Sequence, residues 1–168
     1  MSRRKLKAYL EELSKQELES QILELHDRLK EVKDFYKFVF NPQEDLMIED
    51  AKLRISKEYF PVGKRKRPKK RRSVAQNKIK EFLKLGVDPQ LILDVMLFNI
   101  EIALTYNEEH PIKQEAFYKS MLKSYREAYF YAKKNGLLKA HLIRFEKIID
   151  AVYEQNWFNK SAFEAIME

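Results

Sequence analysis

The sequence predicts an all-α protein, a compact irregular bundle of seven or eight helices packed as antiparallel neighbours. Three observations lead there. Only three Gly and five Pro punctuate 168 residues, too few for many short strands with frequent turns. No run alternates apolar and polar over four or more residues between turn signals. Apolar residues instead recur at three- and four-residue spacings, with Ser, Asp or Asn where those stretches begin. At 45% hydrophobic residues the chain can bury a core, and 1–168 is expected to be one domain. Helix pairs fall at about 15–59, 74–106 and 112–155. No sequence repeat relates them, so a short helix-hairpin solenoid is only the alternative architecture.

A first short helix is expected over 3–13, with Leu6, Leu10 and Leu13 on one side. Ser14 and Glu17 form a capping box that opens the second, in which each side chain satisfies the other's orphan backbone donor. This helix is expected to reach about Val39, because Leu18, Ile22, Leu25, Leu29, Val32, Tyr36 and Val39 are spaced like a heptad seam. Asn41-Pro42 reads as a stop and restart. The third helix follows at about 43–59, striped by Met47, Ala51, Ile55 and Tyr59. Ser73 and Gln76 are expected to cap a fourth helix that stops at Gly86. Asp88-Pro89 opens a fifth, about 89–106, apolar around most of its circumference and therefore expected at the centre. Pro111 is expected to open a sixth that ends at Gly136. The seventh carries Leu138, Leu142, Phe145, Ile148, Ile149 and Val152 as its core face. Asn159 caps a last short helix, flanked by Phe158 and Phe163.

Charge is concentrated in one place. The chain holds 33 Lys and Arg against 26 Asp and Glu, a net +7. Eight of the cations lie in GKRKRPKKRR, residues 63–72; the remainder balances at 25 against 26. Like charges so dense repel, so a loop at about 61–72 is expected to be extended and mobile. Lys64, Arg65, Lys66, Arg67, Lys69, Lys70, Arg71 and Arg72 suit a phosphate backbone. Ser73, at the following helix N-terminus, completes a candidate anion site. No aromatic residue interrupts the run, so the segment itself offers no base-stacking platform. Lys119, Lys123, Arg126 and Lys133 form a second basic stripe on the sixth helix, with Phe130 among them.

Other chemistry finds little support. Without cysteine there is neither a disulfide nor a thiolate metal site. His26, His110 and His141 are far apart and match no metal-ligand spacing; His141 reads as a half-buried, hydrogen-bonded residue. Asp94 and Glu101, two turns apart, could do acid–base work or hold a metal but read better as a wet stripe continued by Gln90, Thr105 and Glu108. Asn99, off that stripe, needs a hydrogen-bond partner across a helix interface. No phosphate-cradling glycine loop occurs. No metal, cofactor or catalytic residue is expected.

The N-terminus, MSRRKLKAYLEEL, has no apolar segment behind its basic residues and is not expected to act as a secretory signal. The most apolar run, 91–104, contains Asp94, Asn99 and Glu101 and is too short and too charged to span a bilayer. A cytoplasmic protein without membrane insertion is expected. RRSVAQNKIKEFLKLGVDP (71–89), LFNIEIA (97–103), QEAFYKSMLKSY (114–125) and EQNWFNK (154–160) resemble a group of small helical bacterial proteins known as a domain of unknown function. That resemblance implies an all-helical fold and a bacterial cytoplasmic setting, and it brings no catalytic residues. The expected function is non-enzymatic binding to RNA or DNA backbone through the basic loop. The alternative is a protein–protein scaffold, a homodimer among the options, joined through the second helix's seam or the aromatic C-terminal end.

Overall fold

A computed structural model describes residues 2–63 and 67–168. Among the described residues there are nine helices and no strand. The chain divides into two units, residues 1–42 and 43–168.

The first unit contains α1 (Arg3–Glu11), α2 (Lys15–Arg28) and α3 (Lys30–Phe40). Its caps follow from local chemistry. Ser2 accepts the Lys5 N–H, and the predicted capping box is present: Glu17 N–H donates to Ser14 Oγ while Ser14 N–H donates to Glu17 Oε2 at 2.8 Å. The single helix expected up to Val39 is broken at Leu29, which is extended at φ −116°, ψ 118°. Neither Gly nor Pro marks the break, so the 4-3 spacing ran straight across it. The seam is thereby divided between two helices, and no residue of α1, α2 or α3 is buried.

The second unit contains α4 (Glu44–Tyr59), α5 (Arg72–Leu85), α6 (Pro89–Glu109), α7 (Glu115–Lys134), α8 (Leu138–Glu154) and α9 (Lys160–Glu164). The predicted central helix is α6. It packs against α4, α5, α7 and α8, an arrangement of hub and surround that a stacked solenoid lacks. Leu93, Val95, Leu97, Ile100 and Ala103 are wholly buried along it. By length and composition alone α6 would qualify to cross a membrane, and eleven of its residues are buried inside this unit. Asp88 caps it as predicted, its carboxylate accepting the Gln90 N–H at 2.7 Å ahead of Pro89. Gly86 ends α5 at φ 78°, the left-handed conformation that a side chain disfavours.

Several local expectations are corrected. The restart expected at Asn41-Pro42 comes two residues later: Asn41 is the C-cap of α3, and the α4 N-cap position is Gln43, with no side-chain bond. On α4 the buried stripe is Ile48, Ala51, Ile55 and Tyr59, with Met47 only half-buried. α7 opens at Glu115, not Pro111, because residues 111–114 are held irregular: the buried Ile112 donates its N–H to Asn107 Oδ1 at 2.9 Å, and Tyr118 donates to its carbonyl. On α8, Phe145, Ile148 and Val152 are buried but Leu142 is exposed. Asn159 precedes α9, yet its amide donates to the Tyr118 carbonyl at 3.1 Å and caps nothing. Trp157 is buried among Phe117, Tyr118 and Phe163, with its Nε1–H donated to Gln155 at 3.0 Å.

Candidate functional site

The site is built around a carboxylate that sequence reasoning passed over. Glu58 lies in the last turn of α4, on the side that buries Ile55 and Tyr59, and is only 8% exposed. A carboxylate so placed needs donors. The basic segment supplies them. Lys69 and Lys70 both donate their backbone N–H to the Glu58 carbonyl at 2.9 Å. Arg71 gives its own N–H to Glu58 Oε2, then grips both oxygens side-on through Nε at 2.9 Å and Nη2 at 2.7 Å. That is the fork geometry guanidinium offers a carboxylate. The Arg71 side chain hydrogen bond holds the Glu58 carboxyl below its ordinary value, against the opposing effect of burial. Lys70 adopts φ 54° to complete the turn, a rare conformation for a residue with a side chain.

Arg72 anchors the other side. Its Nε donates to Ser124 Oγ on α7 at 2.7 Å, and its Nη2 pairs with Glu127 one turn on. Ser124 is itself buried and accepts the Asn99 amide at 3.5 Å, which supplies the cross-helix partner that Asn99 requires.

These bonds alter the predicted site. Lys64, Arg65 and Lys66 lie outside the described residues. Lys69 to Arg72, expected to be mobile, are tied to α4 and α7. Ser73 is not a cap: α5 begins at Arg72, and Arg71 takes the N-cap position without a side-chain bond, because a guanidinium has no acceptor for the helix N–H groups and its own donors go to Glu58. Arg67 and Lys69 are exposed. Lys70 places Nζ 5.4 Å from the centre of the Tyr106 ring. An aromatic surface absent from the basic run therefore lies beside it, brought from α6.

On α7 the second stripe is solvent-facing as a group: Lys119, Lys123, Arg126 and Lys133 are exposed, and Lys119 pairs with Glu115 at 2.8 Å. Lys123 stands four residues before Glu127 and so shares its side of the helix. Arg72 thus brings the foot of the basic segment to the edge of the stripe.

Asp94 and Glu101 are neither a wet stripe nor a pair of free carboxylates. Arg144, from α8, donates Nη1 to Asp94 at 2.6 Å and Nη2 to Glu101 at 2.7 Å, and Lys52 of α4 also pairs with Asp94. Burial raises the Asp94 carboxyl, but the hydrogen bonds and charges of Lys52 and Arg144 outweigh it and leave the group below its ordinary value. Among the described residues no group of three or more His, Asp or Glu is arranged to hold a metal. His141 is half-buried, but its Nε2 has no hydrogen-bond partner, which corrects the expectation of a satisfied residue.

Sequence reasoning missed Glu58, Ser124, Glu127 and Arg144. For Glu58 there was a usable signal, a carboxylate three residues after Ile55 on an apolar stripe and just upstream of eight cations. The others pair across 43 to 55 residues, and local spacing carries no trace of that. No curated protein and no solved structure matches the chain. A family model, that of a family of unknown function (DUF6155), matches residues 1–168. With a helical bundle built around α6 and a match over its whole length, the chain belongs to family DUF6155.

Proposed function

We propose that this is a non-enzymatic binding protein that holds the backbone of RNA or DNA without sequence specificity, through the basic segment and the adjoining α7 stripe. One observation carries the reading. The pairing of Arg72 with Glu127 sets the foot of the segment next to Lys123, so two basic features far apart in sequence adjoin. Phosphates bound along such a surface release counterions, and affinity then falls steeply with salt. Arg71 and Arg72 serve the fold through Glu58, Ser124 and Glu127. The residues assigned to phosphate are Lys64, Arg65, Lys66, Arg67, Lys69 and Lys70, aided by Lys123 and Arg126.

Fluorescence anisotropy with mixed-sequence RNA and duplex DNA tests this at about 50 and about 200 mM salt. Binding is expected at the lower concentration and should weaken strongly at the higher. Replacing the six segment cations by Ser should abolish it, while a K123S/R126S variant should reduce the salt slope by about one for each phosphate-binding cation removed. No detectable binding at low salt, or affinity that survives replacement of the segment cations, overturns the proposal.

A second reading rests on the first unit. Ile22, Leu25, Leu29 and Val39 are each more than two-fifths exposed, and no residue of α1–α3 is buried. A stretch this small seldom holds itself together without a partner surface. The exposed apolar residues on each side of the Leu29 break suit a second copy of the same chain. Sedimentation should then find a dimer for the full chain and a monomer for residues 43–168. A monomeric full chain removes this reading.

A further inference from the structure

Beside the clamped end of the basic segment three rings from two helices meet. Phe60, just after α4, lies edge-on to Tyr106 of α6, with centroids 5.6 Å apart at 67°. His110, just after α6, is stacked on Tyr106 at 5.0 Å and 14°. Lys70 sets its ammonium 5.4 Å from the centre of the same Tyr106 ring. Tyr106 is only 8% exposed and forms the floor. His110 has a side chain 60% exposed, with one face of its ring parallel on Tyr106 and the Glu109 carboxylate 3.8 Å from its Nδ1. Phe60 is about one-third exposed at the margin. Arg67 and Lys69 are exposed on the segment that runs past this cluster.

Stacked aromatic surface next to exposed cations is the combination that single-stranded nucleic acids use. Their bases are unpaired and can lie flat on a ring while the phosphates follow the cations. A duplex hides its base faces in its own stack and gains nothing from such a surface.

We infer that His110 and Phe60, floored by Tyr106, form a base-stacking platform, and that the ligand of this surface is single-stranded nucleic acid. The inference rests on the nucleic-acid reading above and narrows it. Phosphates lie along Arg67 and Lys69, and a base lies on the face of His110 away from Tyr106 with Phe60 at its edge. Because stacking needs only a π-face, the preference is for single strands in general and for no particular base.

The test compares oligothymidine with an abasic deoxyribose-phosphate oligomer of the same length, which keeps the charge and lacks the bases. Each is titrated against the full chain at low salt. Oligothymidine should bind about tenfold more tightly. H110A, at an exposed position, should erase most of that difference and leave abasic affinity unchanged, and F60S should do the same to a smaller degree. Equal affinity of wild type for the two oligomers overturns the inference while leaving backbone binding in place. Absence of binding to either oligomer overturns the inference, and absence of binding to mixed RNA and duplex DNA as well overturns the backbone reading.

Discussion

Glu58 concentrates more of the local structure than any other side chain near the basic segment. Its carbonyl and carboxylate together accept five hydrogen bonds from residues 69–71. Because Arg71 holds this carboxyl below its ordinary 4.5, the group binds its proton less readily in the folded chain than in the unfolded one. It therefore stabilises the fold above pH 4.5, and that contribution fades as pH falls through the lowered value. E58Q should melt below wild type at neutral pH, and the gap should narrow steadily in thermal scans taken below pH 4.5. A constant gap would show that the ionised carboxylate is not what matters. At the same scale lies the reason for the missed cap. Ser73 and Gln76 have the right spacing, but spacing cannot report that Arg71, one position outside the helix, is claimed by a carboxylate 13 residues back. Ser14 and Asp88 were legible because each cap closes within three residues and has no competitor.

Among the elements, α6 was the most legible and carries the most consequence. Its nearly all-round apolar surface could only be satisfied by surrounding it, and α4, α5, α7 and α8 do so. Leu97, wholly buried midway along, faces that packing. L97A should cost about 3 kcal/mol, read as a lower midpoint in urea at unchanged slope. A loss below about 1 kcal/mol would mean the hub relaxes around the void more freely than such a core should. Arg144 adds a second tie, since it joins α8 to Asp94 and Glu101 of α6. The two acids were visible in the sequence, but their shared cation was not, so a structural bridge read as a water-facing stripe. Leu29 marks the opposite limit. Leucine favours helix, its neighbours are Arg28 and Lys30, and nothing local announces an extended residue there.

At the level of the whole molecule the two units differ in kind. Residues 43–168 hold all the buried side chains among the described residues. They include the chain's only Trp and enough apolar surface for an independent core. Expressed alone, this stretch should unfold in one cooperative transition followed by Trp157 fluorescence, and the same preparation provides the monomer comparison proposed above. A broad, uncooperative transition would show that the core needs residues 1–42. Helical class, the central helix and the place of the basic segment were all readable from periodicity and charge. How that segment is fastened was not, because its partners are single carboxylates and a serine on other helices.

The fastening of Lys69 to the Glu58 carbonyl also closes a ring of chain that begins and ends at the same point on α4. In polymer terms, lengthening such a closed ring is inexpensive, since each doubling costs only about 0.6 kcal/mol of closure entropy. Residues could be added after Val62 without disturbing α4 or α5. The number of cations in that ring can thus change at little cost to the bundle that closes it.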